Sequence, residues 1–170
     1  MWRQLIVPEK LNRDKKSRKE GEMNTRERMI LNTIEQIRRS GGDFVKISAE
    51  QTQKRLVWYE ANKDRLNLDG AFPRQAYTMV LLKCMGINPR EVPVVYEDER
   101  KIIWHSFNFC PYLEACKRFN LDTRIVCREA YEKPVQVLIS RLHTNLKFSR
   151  NYLKIRPYED YCEEIIELID

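Results

Sequence analysis

The chain has 170 residues, 42% of them hydrophobic and 33% charged, with only 5 glycines and 7 prolines. That composition suits one folded domain and excludes a collagen-like, disordered or repeat-array chain. No stretch approaches the roughly 18 apolar residues of a membrane span; the longest clean run, Met79 to Leu82, stops at Lys83.

Met1 to Val7 is followed at once by Pro8, Glu9 and Lys10, which leaves no apolar core for a secretory signal. Five cysteines at this length suit a reducing cytoplasm better than a secreted disulfide framework. A cytoplasmic protein is therefore expected. The net charge of +6 is uneven: residues 1–40 carry +5 and the remainder +1. A basic arm with Lys10, Arg13, Lys15, Lys16, Arg18 and Lys19 can contact nucleic acid. No aromatic residues interleave to stack on bases, so a solvated helix face is the plainer reading.

Asn24 with Glu27 resembles a capping box, and Ile30, Ile34 and Ile37 recur at helical spacing up to Gly41-Gly42. This predicts a helix over 25–39. Ser48 with Gln51 predicts a second helix, to about residue 63. Pro73 and Gly86 bracket a largely apolar helix over 73–85, with Cys84 packed inside it. Residues 92–96 and 101–109 read as a hairpin of β-branched and aromatic runs around a polar turn.

Cys110-Pro111 opens a short helix to about residue 119. Asp122 caps another, which Pro134 should kink or break. The remainder predicts strands over 146–150, 152–156 and 161–169, the last of which can equally line a short helix. The expected fold is α+β: amino-terminal helices, then an antiparallel sheet of about four strands backed by helices, in the order β-β-α-α-β-β. In domain terms, residues 1–42 are expected to form a basic arm and helix, and 43–170 a single α+β domain.

There is no G-x-x-x-x-G-K, G-x-G-x-x-G, G-x-S-x-G or C-x-x-C. No nucleotide cofactor is expected. The informative cysteines are Cys110, Cys127 and Cys162. Cys110 stands before a helix whose first residue is Pro111, where free N–H groups and the helix dipole favour a thiolate. Single buried cysteines usually just pack, and that remains the plainer reading for Cys84 and Cys116. Trp58, Tyr112, Phe119 and Tyr131 read as core.

The stretches Phe109-Cys110-Pro111-Tyr112-Leu113-Glu114-Ala115-Cys116, Ile125-Val126-Cys127-Arg128-Glu129-Ala130 and Tyr161-Cys162-Glu163 resemble the L-2-amino-thiazoline-4-carboxylic acid hydrolase family. The resemblance covers about residues 71–170. The family is similar in turn to the small-molecule-binding domain named after vinyl reductases, which commonly holds zinc through cysteines. The resemblance implies ring-opening hydrolysis of a cyclic C–N or C=N bond.

In that chemistry Cys110 is nucleophile or metal ligand. Cys127 and Cys162 would complete a site for zinc or another divalent metal. Glu129 is a candidate base, His105 a second catalytic candidate, and Arg124 or Arg128 a clamp for a substrate carboxylate. His105 lies five residues before Cys110, which points the two side chains to opposite faces if the strand is regular. A non-catalytic sensor with cysteine-bound zinc is the alternative. Either way the expected partners are a small-molecule substrate or ligand and a second copy of the chain, with no membrane.

Overall fold

The computed structural model describes the backbone of residues 10–170 and the side chains from Thr25 onward. The basic run from Lys10 to Lys19 therefore has no described side chains. Its backbone belongs to α1 (Lys10–Arg39), much longer than the predicted 25–39. The periodic isoleucines lie in the part of α1 whose side chains are described. Ile30, Ile34 and Ile37 are buried against Ile47, Ala115 and Ala130. That part of α1 thus shares a core with residues beyond 42.

Gly41 and Gly42, at φ 64° and 80°, end α1 in the left-handed region that glycine tolerates. Asp43 then caps α2 (Phe44–Asn62), its carboxylate accepting the Val45 and Lys46 N–H groups at 3.0 and 3.3 Å. The cap lies five residues before the predicted Ser48, because Asp43 meets the first free N–H groups after the glycines.

The next helix is α3 (Phe72–Tyr77), with Pro73 in its first turn, and it continues as a π-helical segment, Thr78–Cys84. Gly86 closes it as predicted, with Ile87 N–H donating to Leu81 C=O at 2.9 Å. The hairpin is β1 (Val94–Glu97) and β2 (Lys101–Ser106). Then come α4 (Pro111–Phe119), α5 (Thr123–Cys127), a π-helical turn (Arg128–Glu132) and α6 (Lys133–Ile139). Pro134 does not break the run. It lacks an N–H for the ordinary i→i−4 bond, and the wide turn just before it absorbs the mismatch.

The chain closes with β3 (Leu146–Arg150) and β4 (Cys162–Leu168). Residues 152–156 are turns, not the predicted strand. Asn151 Oδ1 accepts the Leu153 N–H at 3.0 Å, and its C=O accepts Lys154 N–H at 3.0 Å, which folds the chain back locally. The ambiguous last segment is a strand, held on both sides in a sheet of order β1-β2-β4-β3, antiparallel throughout. The α+β architecture and the β-β-α-α-β-β order of its second part are as expected.

One face of the sheet is buried. Along it Ile102, Trp104 and Ser106 of β2 alternate inward, as do Glu164 and Ile166 of β4 and Leu146, Phe148 and Arg150 of β3. Beneath the apolar half of that face lie Tyr77, Met79, Val80, Leu138 and Ile139 from the α3 and α6 segments. The other half carries Ser106, Arg150, Cys162 and Glu164, and there the close packing gives way to a cavity. Among the described residues no helix is long and apolar enough to cross a membrane.

Candidate functional site

The cavity has a volume of about 780 Å³ and lies between α1, α2, the end of the π-helical segment after α3, the start of α4, α5 with the turn that follows it, and the polar end of the sheet. Cys110, Cys127 and Cys162 all line it, as does Cys84. Four thiols from widely separated stretches therefore open on one space. All five cysteines of the chain are free thiols.

Cys110 is the N-cap of α4, with its Sγ accepting the Leu113 N–H at 3.5 Å. Leu113 N–H and the charges of Arg156 and Arg150 pull its pKa down, but enclosure among protein atoms outweighs them and holds the thiol above its ordinary value. The helix-dipole argument for a resting thiolate is thus overridden by burial. Burial likewise pushes Cys127 from its ordinary 9.0 up to about 12 and Cys116 up to about 11.

These shifts carry a stability prediction. The folded chain keeps protons that an unfolded thiol releases above pH ~8.5. Their contribution is intact below that pH and falls as pH rises toward the folded values. Urea unfolding should show stability declining between pH 8.5 and 11, by up to about 1.4 kcal/mol per pH unit for each such thiol. Cys127→Ala should flatten that decline; an unchanged slope would contradict the assignment.

Around the thiols stands a polar network. Arg150 and Glu164 face each other across the β3–β4 pair and form a buried ion pair. Ser106 Oγ donates to Glu164 Oε2 at 3.0 Å, and Trp104 Nε1 donates to Ser106 Oγ at 3.1 Å. Burial opposes the charge on Arg150, yet the Glu164 carboxylate and the thiol and phenol groups around it hold its pKa well above the ordinary value.

Arg150 also lies 5.0 Å from the Tyr131 ring centre, and Arg55 lies 5.1 Å from the same ring. Burial drives the Tyr131 phenol well above its usual range. Tyr112 closes another wall, its hydroxyl donating to Gln36 Oε1 at 2.7 Å and accepting from Gln51 Nε2 at 3.2 Å.

The other predicted site residues lie elsewhere. His105 alternates with Trp104 and Ser106 and projects from the opposite face. There it sits 3.2 Å from Glu163 and stacks on Tyr161 at 3.8 Å. Glu129 is exposed and is not part of the lining. Arg124 is tied to Asp122, whose carboxylate it holds down at about 2, and Arg128 lies over Tyr152 at 4.5 Å. Neither arginine reaches the cavity wall. The helical stretch after Asp122 turns Thr123, Val126, Cys127, Ala130 and Tyr131 toward the cavity, and Arg124, Arg128 and Glu129 face out.

A zinc site does not fit these residues. Among the described residues no three His, Cys, Asp or Glu side chains are grouped so as to hold a metal ion. The charges beside Cys110 are also the guanidiniums of Arg150 and Arg156, which oppose a dication.

The reading from residue types misses Arg55, Arg150, Arg156, Ser106 and Glu164, together with Tyr112, Tyr131 and Trp58 taken only as core. One signal was available. Arg150 follows Leu146 and Phe148 at strand spacing, on the apolar side. No family model matches the chain, and neither a curated protein nor a solved structure matches it.

Proposed function

We propose that the chain binds a small organic molecule in the cavity at the polar end of the sheet. The observation that carries this is the convergence of Cys84, Cys110, Cys127 and Cys162 on one space of about 780 Å³. That size falls within the ~300–1,000 Å³ of small-molecule sites. Trp58, Leu81, Phe109 and Val126 give it apolar walls, and the Glu164–Arg150 network gives it a fixed polar end.

A second reading is turnover, as the resemblance to the thiazoline carboxylate hydrolases implies. It is favoured by Cys110 at the N-terminus of α4, with two guanidiniums acting on its sulfur. At rest that thiol is protonated. Nucleophilic attack would require a base, and Glu164 is the buried carboxylate lining the same cavity.

The neutral fluorophore N-phenyl-1-naphthylamine tests the binding reading. One molecule should bind per chain with enhanced fluorescence, and prior alkylation of the cavity thiols by N-ethylmaleimide should abolish it. Binding indifferent to alkylation, or no binding of either this fluorophore or a medium-chain organic acid, would overturn the reading. Turnover is tested with 2-amino-thiazoline-4-carboxylate: ring opening by the wild-type chain, lost in Cys110→Ser, supports it, and no ring opening removes it.

A further inference from the structure

Arg55 is only 8% exposed, although it sits on α2 among residues facing the interior. Its Nε and Nη1 are buried without a hydrogen-bond partner, and among the described residues no carboxylate lies within ion-pair distance of it. Arg150, 9% exposed, has a buried Nε with no partner even though its Nη2 is paired to Glu164. Arg156 donates from Nη1 to the Phe107 and Asn108 carbonyls at 3.2 and 3.0 Å, and its Nε too is buried and unpaired.

All three guanidiniums line the one cavity. At its buried end they face a single buried carboxylate, Glu164. Glu35 and Glu50 are exposed, Glu35 3.8 Å from Arg39 and Glu50 accepting from Gln36 Nε2 at 2.7 Å, and the exposed Lys54 lines the cavity beside them. The inner cavity thus holds an excess of positive charge and several idle donors.

A buried guanidinium held over the Tyr131 ring at 5.1 Å, but with no counter-ion among the described residues and no hydrogen bond at Nε or Nη1, is costly, and a core built for stability alone would place an apolar side chain at 55. Polar groups held idle against a cavity are what a ligand anion would satisfy. We infer that Arg55, with Arg150 and Arg156, forms an anion subsite that receives the carboxylate of an organic acid, whose apolar body lies against Trp58, Leu81 and Phe109. This rests on the cavity being a small-molecule site. The apolar walls favour a carboxylate on a hydrocarbon body over a bare phosphate, which would leave them wet.

The test is displacement of N-phenyl-1-naphthylamine by decanoate, decanol and inorganic phosphate, with calorimetric titration of decanoate alongside. Decanoate should displace the fluorophore at least about tenfold better than decanol, the return from one charge-assisted contact. Phosphate alone should not displace it. Arg55→Met should bring decanoate to the level of decanol. The ligand-free variant should unfold at the same temperature as wild type or higher, because an idle charge has been removed.

Equal displacement by acid and alcohol, or an unchanged preference in Arg55→Met, would overturn the subsite while leaving the cavity reading intact. So would a variant that merely unfolds earlier with its preference unchanged. Displacement by phosphate as strong as by decanoate would replace the carboxylate with a phosphate. If the fluorophore fails to bind, decanoate heat that vanishes in Arg55→Met still upholds the subsite, and no decanoate heat overturns both.

Discussion

Replacing Glu164 with alanine is expected to destabilise the fold by about 3–5 kcal/mol, because it leaves the Arg150 guanidinium buried without its counter-charge. The two side chains are only 5% and 6% exposed, so water screens the pair little. Ser106 Oγ loses its acceptor in the same variant, which adds to the loss. The double variant Glu164→Ala, Arg150→Met should recover much of the stability, since no charge is then stranded. Urea unfolding of the four proteins in the cycle measures this. A single-variant loss below about 1 kcal/mol, the range of an exposed pair, would show that the pair is not sealed from solvent.

Trp104→Ala should cost a similar amount, about 3–5 kcal/mol, for a different reason. The indole is 1% exposed and meets Tyr77 edge-on at 5.4 Å, with Phe148 at 6.3 Å on its other side. Its removal opens a cavity in the centre of the sheet-facing core. Its Nε1 also fixes Ser106, which in turn holds Glu164. Trp104→Phe keeps most of the packing and loses the donor, so it should cost about 1 kcal/mol. If alanine and phenylalanine prove equally mild, Trp104 does not anchor the core.

Trp104 thereby links the stability of the core to the geometry of the site. The same register that pairs Trp104 with Glu164, and Glu164 with Arg150, lays the polar network straight across three strands. A shift of one residue would turn that network to the outer face and bring His105 and Glu163 inward.

Much of the fold is legible in the chain because its signals are local. The glycine pair after Ile37, Pro73 and Gly86, the polar turn before Lys101 and the Cys110-Pro111 junction each act within a few residues. The last strand was ambiguous because its conformation is fixed by neighbours far away: β4 lies between β2 and β3, pairings that no local pattern encodes. Residues 152–156 have strand composition, but the Asn151 side chain and carbonyl capture the following N–H groups first.

The candidate site was half legible. The motifs around Cys110, Cys127 and Cys162 point to thiols that meet, and these three line one cavity. The sequence places candidate arginines on the charged helix near Cys127, where Arg124 and Arg128 stand. Those face solvent, and the cavity takes its guanidiniums from α2, from the end of β3 and from the turn after it. Charged residues are ordinarily exposed, so Arg55 and Arg150 read as surface until the packing around them is known. Once buried, they change the chemistry expected of the thiols: a cationic pocket suits an anion and opposes a metal ion.

The shared cavity is tested most directly by a crystal soaked in methylmercury and measured at the mercury absorption edge. Anomalous peaks on Cys110, Cys127 and Cys162, all projecting into one continuous solvent-filled space bounded by Arg55 and Arg150, are the expected result. Sulfurs that face separate, tightly packed surroundings, with no common space between them, would contradict it.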